Sequence, residues 1–170
     1  MVAWEVTRGC NLACLHCRAS SRYGPYEGEL DTAHCKGLID DIAAFSSPVI
    51  ILTGGEPYLR EDIFEIASYG TGKGLRMVLA TNGTLVTDEI ARRTIDAGVQ
   101  RISVSIDGPD AQSHDAFRGV PGAFKGAMAG IDAFKRAGME FQINTTITRL
   151  NLDRMEEIYD LAISLGAAGH

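Results

Sequence analysis

Short apolar runs alternate along the chain with stretches whose apolar residues recur at helical spacing. Val2 to Thr7 reads as a first strand. Asp31 or Thr32 caps a helix whose stripe is Cys35, Leu38, Ile42 and Phe45, and Pro48 stops it. Val49 to Thr53 is a continuous apolar strand, followed by a helix around Asp62 to Tyr69. Leu75 to Thr81 is a third strand, with a helix from Thr87 to Ala97 ended by Gly98. Arg101 to Ile106 is a fourth strand. Phe124, Ala127, Met128, Ile131 and Phe134 mark the next helix face, ended by Gly138. Met139 to Ile147 is a fifth strand, and Asn151 caps a last helix carrying Ile158, Leu161, Ala162 and Leu165 on one face.

Five strands, each followed by a helix, come to about 34 residues per unit, near the ~30 of a βαβ unit. The alternation predicts an α/β fold with a parallel sheet and right-handed crossovers. A complete eight-fold barrel takes about 250 residues. The 170 residues therefore predict a partial (βα) barrel of about five units, or a piece of a longer protein. The sequence stops at Gly166-Ala-Ala-Gly-His170, where a sixth strand is expected to begin.

Parallel α/β folds bind ligands at the C-terminal ends of their strands, and the unusual residues of this chain fall there. Three cysteines follow the first strand and Thr53-Gly-Gly-Glu-Pro57 the second. Thr81-Asn-Gly83 follows the third; the fourth ends in Ser103-Val-Ser-Ile-Asp-Gly108, and the fifth runs through Asn144-Thr145-Thr146. Cys10, Cys14 and Cys17 form C-x3-C-x2-C in one loop. Three soft thiolates so close suit one soft centre. A structural zinc normally takes four closed ligands, for which His16 or His34 could be the fourth. An iron–sulfur cluster on three cysteines keeps one iron open to a small molecule. Three unconnected thiols are the remaining reading. Cys35 stands apart, on a helix stripe, as a core thiol. Gly70-Thr-Gly-Lys-Gly74 lacks the spacing of a phosphate loop and precedes a strand, so it reads as a connection.

Composition narrows the partners. Hydrophobic residues are 45% and charged residues 22%, ordinary for a globular chain. The net charge of −6 makes nucleic acid a poor expectation. No apolar run reaches the ~18 residues of a membrane span. The first residues have neither the basic nor the apolar segment of a signal peptide, so a cytoplasmic protein is expected, with cysteines as thiols or metal ligands rather than disulfides.

Cys10-Asn-Leu-Ala-Cys14-Leu-His-Cys17, followed by Thr53-Gly-Gly-Glu-Pro57, resembles the radical S-adenosylmethionine (SAM) superfamily over the whole chain. The resemblance implies an enzyme of oxidoreductase or lyase type on a six-stranded partial βα barrel. Residues 1–170 would be its core, without any C-terminal auxiliary-cluster domain. It implies a 4Fe–4S cluster whose open iron is chelated by SAM's amino and carboxylate groups. One electron then cleaves SAM to methionine and a 5′-deoxyadenosyl radical, which takes hydrogen from a substrate. The protein supplies position, electrostatics and water exclusion.

Residue by residue, the resemblance makes Cys10, Cys14 and Cys17 the cluster ligands and sets His16 near the adenine. Gly54 and Gly55 would let backbone approach the methionine moiety, and Glu56 would accept from SAM's amino group. Thr81 and Asn82 match a third-strand contact, and Ser105 the ribose contact. Asp107 lies on the same side of the strand as Ser105, although Asp-Gly is also a turn pair. Arg118, in His114-Asp-Ala-Phe-Arg-Gly119, is a candidate for SAM's carboxylate, and Asn144 with Thr146 would approach SAM or substrate.

The flanks Trp4-Glu-Val-Thr-Arg8 and His16-Cys-Arg-Ala-Ser20 resemble the branch of siroheme- and haem-modifying enzymes. A sister branch matures peptides, and both usually carry further cysteine-bound clusters (SPASM or twitch). No cysteine follows Cys35, so that region lies beyond residue 170 or is lacking. A small-molecule substrate such as a tetrapyrrole, or a peptide, is implied, together with a one-electron donor such as flavodoxin or ferredoxin. A zinc-binding module without catalysis is the alternative of another class.

Overall fold

The computed structural model describes residues 1–24 and 26–170. Strands β1 (Val2–Thr7), β2 (Val49–Gly54), β3 (Arg76–Thr81), β4 (Arg101–Ser105) and β5 (Phe141–Asn144) form one sheet in the order β1-β2-β3-β4-β5. Every neighbouring pair is parallel, as expected of a partial barrel. Between the strands run α1 (Thr32–Phe45), α2 (Ile63–Gly72), α3 (Asp88–Asp96), α4 (Ala111–Arg118) and α5 (Ala123–Ala137), and α6 (Met155–Leu165) follows β5. No described helix is long and apolar enough to cross a membrane.

The period-2 alternation of the strands assigns their two faces. Ile50, Leu52, Met77, Leu79, Ile102, Val104, Phe141 and Ile143 are buried in the main core, which also takes Ile39, Ile66, Ile131 and Phe134 from the helices. The residues between them on the strands face the concave side, where Thr53, Ala80 and Ser105 line a hollow. The sheet thus hides one apolar face under helices, and at the C-terminal ends of the strands the other face carries small and polar side chains. Side-chain caps start three of the helices: Asp31 accepts from the His34 amide, Thr87 from Ile90 and Asp110 from Ser113.

Three expectations need correction. Phe45 does not belong to the buried stripe of α1; it is 92% exposed, and Cys35 and Ile39 carry that face. The fifth strand is four residues long rather than nine. Beyond it the Thr145 hydroxyl donates to the Ile106 carbonyl, and the Thr146 amide to the Asp107 carboxylate. These bonds draw the chain off the sheet edge. Asn151 makes no side-chain cap; its amide donates to the carbonyls of Asp107 and Thr146 instead. Helix α4 was not foreseen, and it brings in Arg118.

Candidate active site at the cysteine loop

The tips of β1 and β2 are pressed together, and this junction launches the cysteine loop. Gly55 donates from its amide to the Thr7 carbonyl at 2.8 Å, and the Glu56 amide to Gly9 at 2.7 Å. A Cβ on Gly54 would lie 2.1 Å from the Thr7 oxygen, and one on Gly55 2.2 Å from the Gly9 oxygen. Gly54 also has φ +141°, a region nearly closed to other residues. The paired glycines are therefore required by strand-end packing, whatever ligand lies beside them. Gly54→Ala is expected to cost about 3 kcal/mol from the clash and the strained backbone together. Urea denaturation checks this, and a wild-type midpoint would contradict it.

From that junction the loop carries Cys10, Cys14 and Cys17, all free thiols, around a cavity of about 310 Å³. Gly54, Gly55, Thr81, Asn82, His16, Ser105, Arg118 and Thr146 line the same cavity. The sequence-predicted residues from four strand ends are thus gathered with the thiols on one side of the sheet. Backbone amides point at two of the sulfurs: Leu12 at Cys10 Sγ and Ser21 at Cys17 Sγ, both at 3.4 Å. Burial pushes the Cys10 and Cys14 thiols up from their ordinary value. His34, weighed as a zinc ligand, is elsewhere: it lies at the start of α1 with its ring on Asp31. Among the described residues no three His, Cys, Asp or Glu side chains are gathered closely enough to hold one metal ion.

Three predicted residues do not line this cavity. Glu56 is fully buried and does not line the cavity. Its Oε1 accepts from the Thr81 hydroxyl at 2.8 Å and the Tyr58 amide at 3.3 Å, and Oε2 from the Asn82 amide at 2.8 Å. The carboxylate is thus engaged by the Thr81–Asn82 turn and the Tyr58 amide. Asp107 is likewise only 1% exposed. Its Oδ2 takes Arg118 Nε at 2.9 Å and Nη2 at 2.8 Å, and its Oδ1 takes the Thr146 amide. It therefore stands behind the cavity wall as the partner of Arg118. Asn144 is exposed, bonds Gln142, and lines an adjoining hollow of about 640 Å³ that shares Thr53, Ala80, Ser105 and Thr146 with the first.

Arg118 itself is 4% exposed. Its Nη2 also reaches the Ser105 carbonyl, and its own carbonyl receives the Leu15 amide, so α4 is tied to the cysteine loop. His16 packs on Phe117 with ring centroids 4.5 Å apart and lies 3.8 Å from Asp107. Burial holds its pKa below the ordinary value. Fully buried His114 accepts the Asp107 amide on Nδ1, and burial pulls its pKa down to about 4.

The chain matches the Radical SAM superfamily model over residues 4–162. It belongs to the radical SAM superfamily. It is 56% identical over 168 residues to the AdoMet-dependent heme synthase of Oleidesulfovibrio alaskensis, covering 99% of this chain and 43% of that protein. To mycofactocin maturase MftC of Mycolicibacterium smegmatis it is 34% identical, over 98% of this chain and 42% of that one. Streptococcus suis SuiB bound to S-adenosylmethionine shares the fold at a TM-score of 0.80, with 15% identity over 97% of this chain and 38% of SuiB. The chain thus spans less than half the length of these relatives.

Within this radical SAM chain, burial shifts two groups in opposite senses. Burial raises Glu56 from 4.5 to about 7 against its three donors. Between those values the folded state keeps a proton that the unfolded state has released, so this group makes stability fall as pH rises. His114, lowered from 6.5 to about 4, makes stability rise as pH rises across that range. Glu56→Gln should therefore give stability that climbs from pH 4.5 to 6.5, and His114→Gln stability that falls. The wild type should be flatter than either. Urea midpoints against pH test this, and three parallel profiles would contradict it.

Proposed function

We propose that this chain is the core of a radical SAM enzyme in which Cys10, Cys14 and Cys17 hold a 4Fe–4S cluster and SAM occupies the cavity beside them. The observation that carries the reading is the shared hollow: three soft thiols, two met by backbone N–H donors, open onto the polar ends of β2, β3 and β4. The donor set fits the group, because N–H···S bonds favour thiolate over thiol and soft thiolates suit iron–sulfur centres. When bound, the cluster and SAM supply the electron transfer and carbon–sulfur cleavage that generate a hydrogen-abstracting radical.

The chain's own residues bind and orient. Arg118, fixed by Asp107 through two hydrogen bonds, offers a preset cation for SAM's carboxylate, with Nη1 as its remaining donor. Ser105 and Thr146 supply polar groups at the cavity wall, where the His16 ring, backed by Phe117 behind it, offers a face for a purine. Leu12 and Ala80 help exclude water. Glu56 acts at one remove, by fixing the Thr81–Asn82 turn.

A tetrapyrrole of haem biosynthesis is the substrate that the 56%-identical heme synthase supports. The adjoining hollow beside Asn144 and Ile147 is where substrate would meet SAM. A peptide substrate is the second reading, supported by the 34%-identical maturase. A flavodoxin- or ferredoxin-type carrier would deliver the electron, inside the cytoplasm. The test is anoxic reconstitution followed by reduction. The reading predicts an EPR signal that SAM shifts, and deoxyadenosine formation stimulated by a carboxylated iron tetrapyrrole rather than by peptides. Uptake of one zinc ion per chain, with no such signal, would overturn it.

A further inference from the structure

Among the described residues, the Cys10 sulfur is the only one of the three met by a side chain from another part of the fold. Asn82 Nδ2 lies 3.8 Å from Cys10 Sγ, within reach of an N–H···S bond, and joins the Leu12 amide on that sulfur. Among the described residues no hydrogen bond reaches Cys14 Sγ, and Cys17 Sγ has only the Ser21 amide. The three cysteines therefore present unequal environments.

The Asn82 amide is locked in this orientation. Its Oδ1 accepts from both the Thr84 amide, at 2.9 Å, and the Thr84 hydroxyl, at 2.7 Å. Its Nδ2 also donates to Asn11 Oδ1 at 3.0 Å, and Asn11 closes the ring by donating to Thr84 Oγ1 at 2.8 Å. Turning the amide over would set NH2 against the Thr84 N–H and oxygen against Asn11 Oδ1, a double mismatch in a buried place. The backbone below is fixed as well, because the Asn82 amide donates to buried Glu56. The side-chain amide of Asn82 is thereby engaged within the protein at both its nitrogen and its oxygen.

We propose that Asn82 is a positioning residue for the Cys10 corner of the cluster: its N–H···S bond raises the potential at which the cluster accepts an electron, with Thr84 and Glu56 holding it in place. The physical cause is charge. A donor on a ligand sulfur stabilises the more negative, reduced state over the oxidised one. This inference rests on the three-cysteine cluster reading.

The experiment is an EPR-monitored redox titration of the anoxically reconstituted protein, with iron, sulfide and SAM affinity measured alongside. Asn82→Leu, close in size and without a donor, should keep the wild-type iron and sulfide content but be reduced only at a more negative potential. Thr84→Ala, which keeps the Asn82 amide and removes the hydroxyl part of its latch while the residue-84 backbone N–H stays, should shift in the same direction by less. Unchanged potentials in both variants overturn the proposal, as does weakened SAM binding by Asn82→Leu at an unchanged potential. Should Asn82→Leu fail to hold the cluster, Thr84→Ala decides alone: a more negative potential supports the proposal and an unchanged one overturns it. A wild-type protein that takes up no iron and sulfide would instead defeat the underlying cluster reading, a result visible before any variant is made.

Discussion

Cys14→Ala is expected to take up no stable iron–sulfur cluster while its metal-free form unfolds at the same urea concentration as the metal-free wild type. Cys14 is half-buried and belongs to a small satellite group with Cys10, Leu12, Ala123 and Val120, outside the main core. No described hydrogen bond ends on its sulfur, so losing the thiol leaves no buried donor stranded. On the proposed cluster reading, by contrast, the loss of one of three protein ligands would leave a cluster on two. Cys35→Ala should behave in the reverse way. Cys35 is fully buried against the core under α1, so its removal costs roughly 1 kcal/mol through a small cavity and leaves iron and sulfide uptake intact. Iron and sulfide assays with urea titrations of both variants separate the cases. A structural zinc site would couple ligand loss to loss of fold, so unfolding of Cys14→Ala would count against the present account.

Asp107→Asn is expected to destabilise the chain by roughly 3–5 kcal/mol, the range for breaking a buried ion pair by removing one partner. Arg118 is 4% exposed and donates two of its N–H groups to Asp107. Without the carboxylate its charge stays buried and uncompensated. The damage should spread, because Asp107 also holds the Thr146 amide and, through its backbone, His114 and Asn151. For a chain of this size the loss corresponds to a melting point lower by roughly 10 °C. Asp107→Leu combined with Arg118→Met removes both charges and should recover much of the stability. It should not recover SAM binding, because the cation is gone. Thermal denaturation and SAM titration test both parts. A double variant that bound SAM as tightly as the wild type would remove Arg118 from the binding site.

The strands and the cysteine spacing could be read from the sequence because each is a local signal. A continuous apolar run such as Val49 to Leu52 has few alternatives once Pro48 precedes it, and C-x3-C-x2-C is contained in eight residues. What was missed depended on contacts between distant segments. Helix α4 buries His114, Phe117 and Arg118, two of them polar, so no apolar periodicity marks it. Its buried face is defined by Asp107, seven to eleven residues away. Phe45 obeys the helical spacing of α1, yet it falls in the last turn and packs on nothing. The residue type of Glu56 was informative, but its direction was not: the carboxylate turns to Thr81 and Asn82, about 25 residues further on. The lock on Asn82 joins Asn11 to Thr84, 73 residues apart. Neither link has a signature in a single sequence, although the clustering of Thr, Asn and Gly at strand ends marked the region where they form.

Iron and acid-labile sulfide, counted per chain in the anoxically reconstituted wild type, bear most directly on the whole account. About four of each, with the count collapsing in Cys10→Ala, Cys14→Ala and Cys17→Ala but not in Cys35→Ala, is the predicted result. Protein that carries neither element, or that holds them equally well after any of the three loop cysteines is replaced, would contradict it.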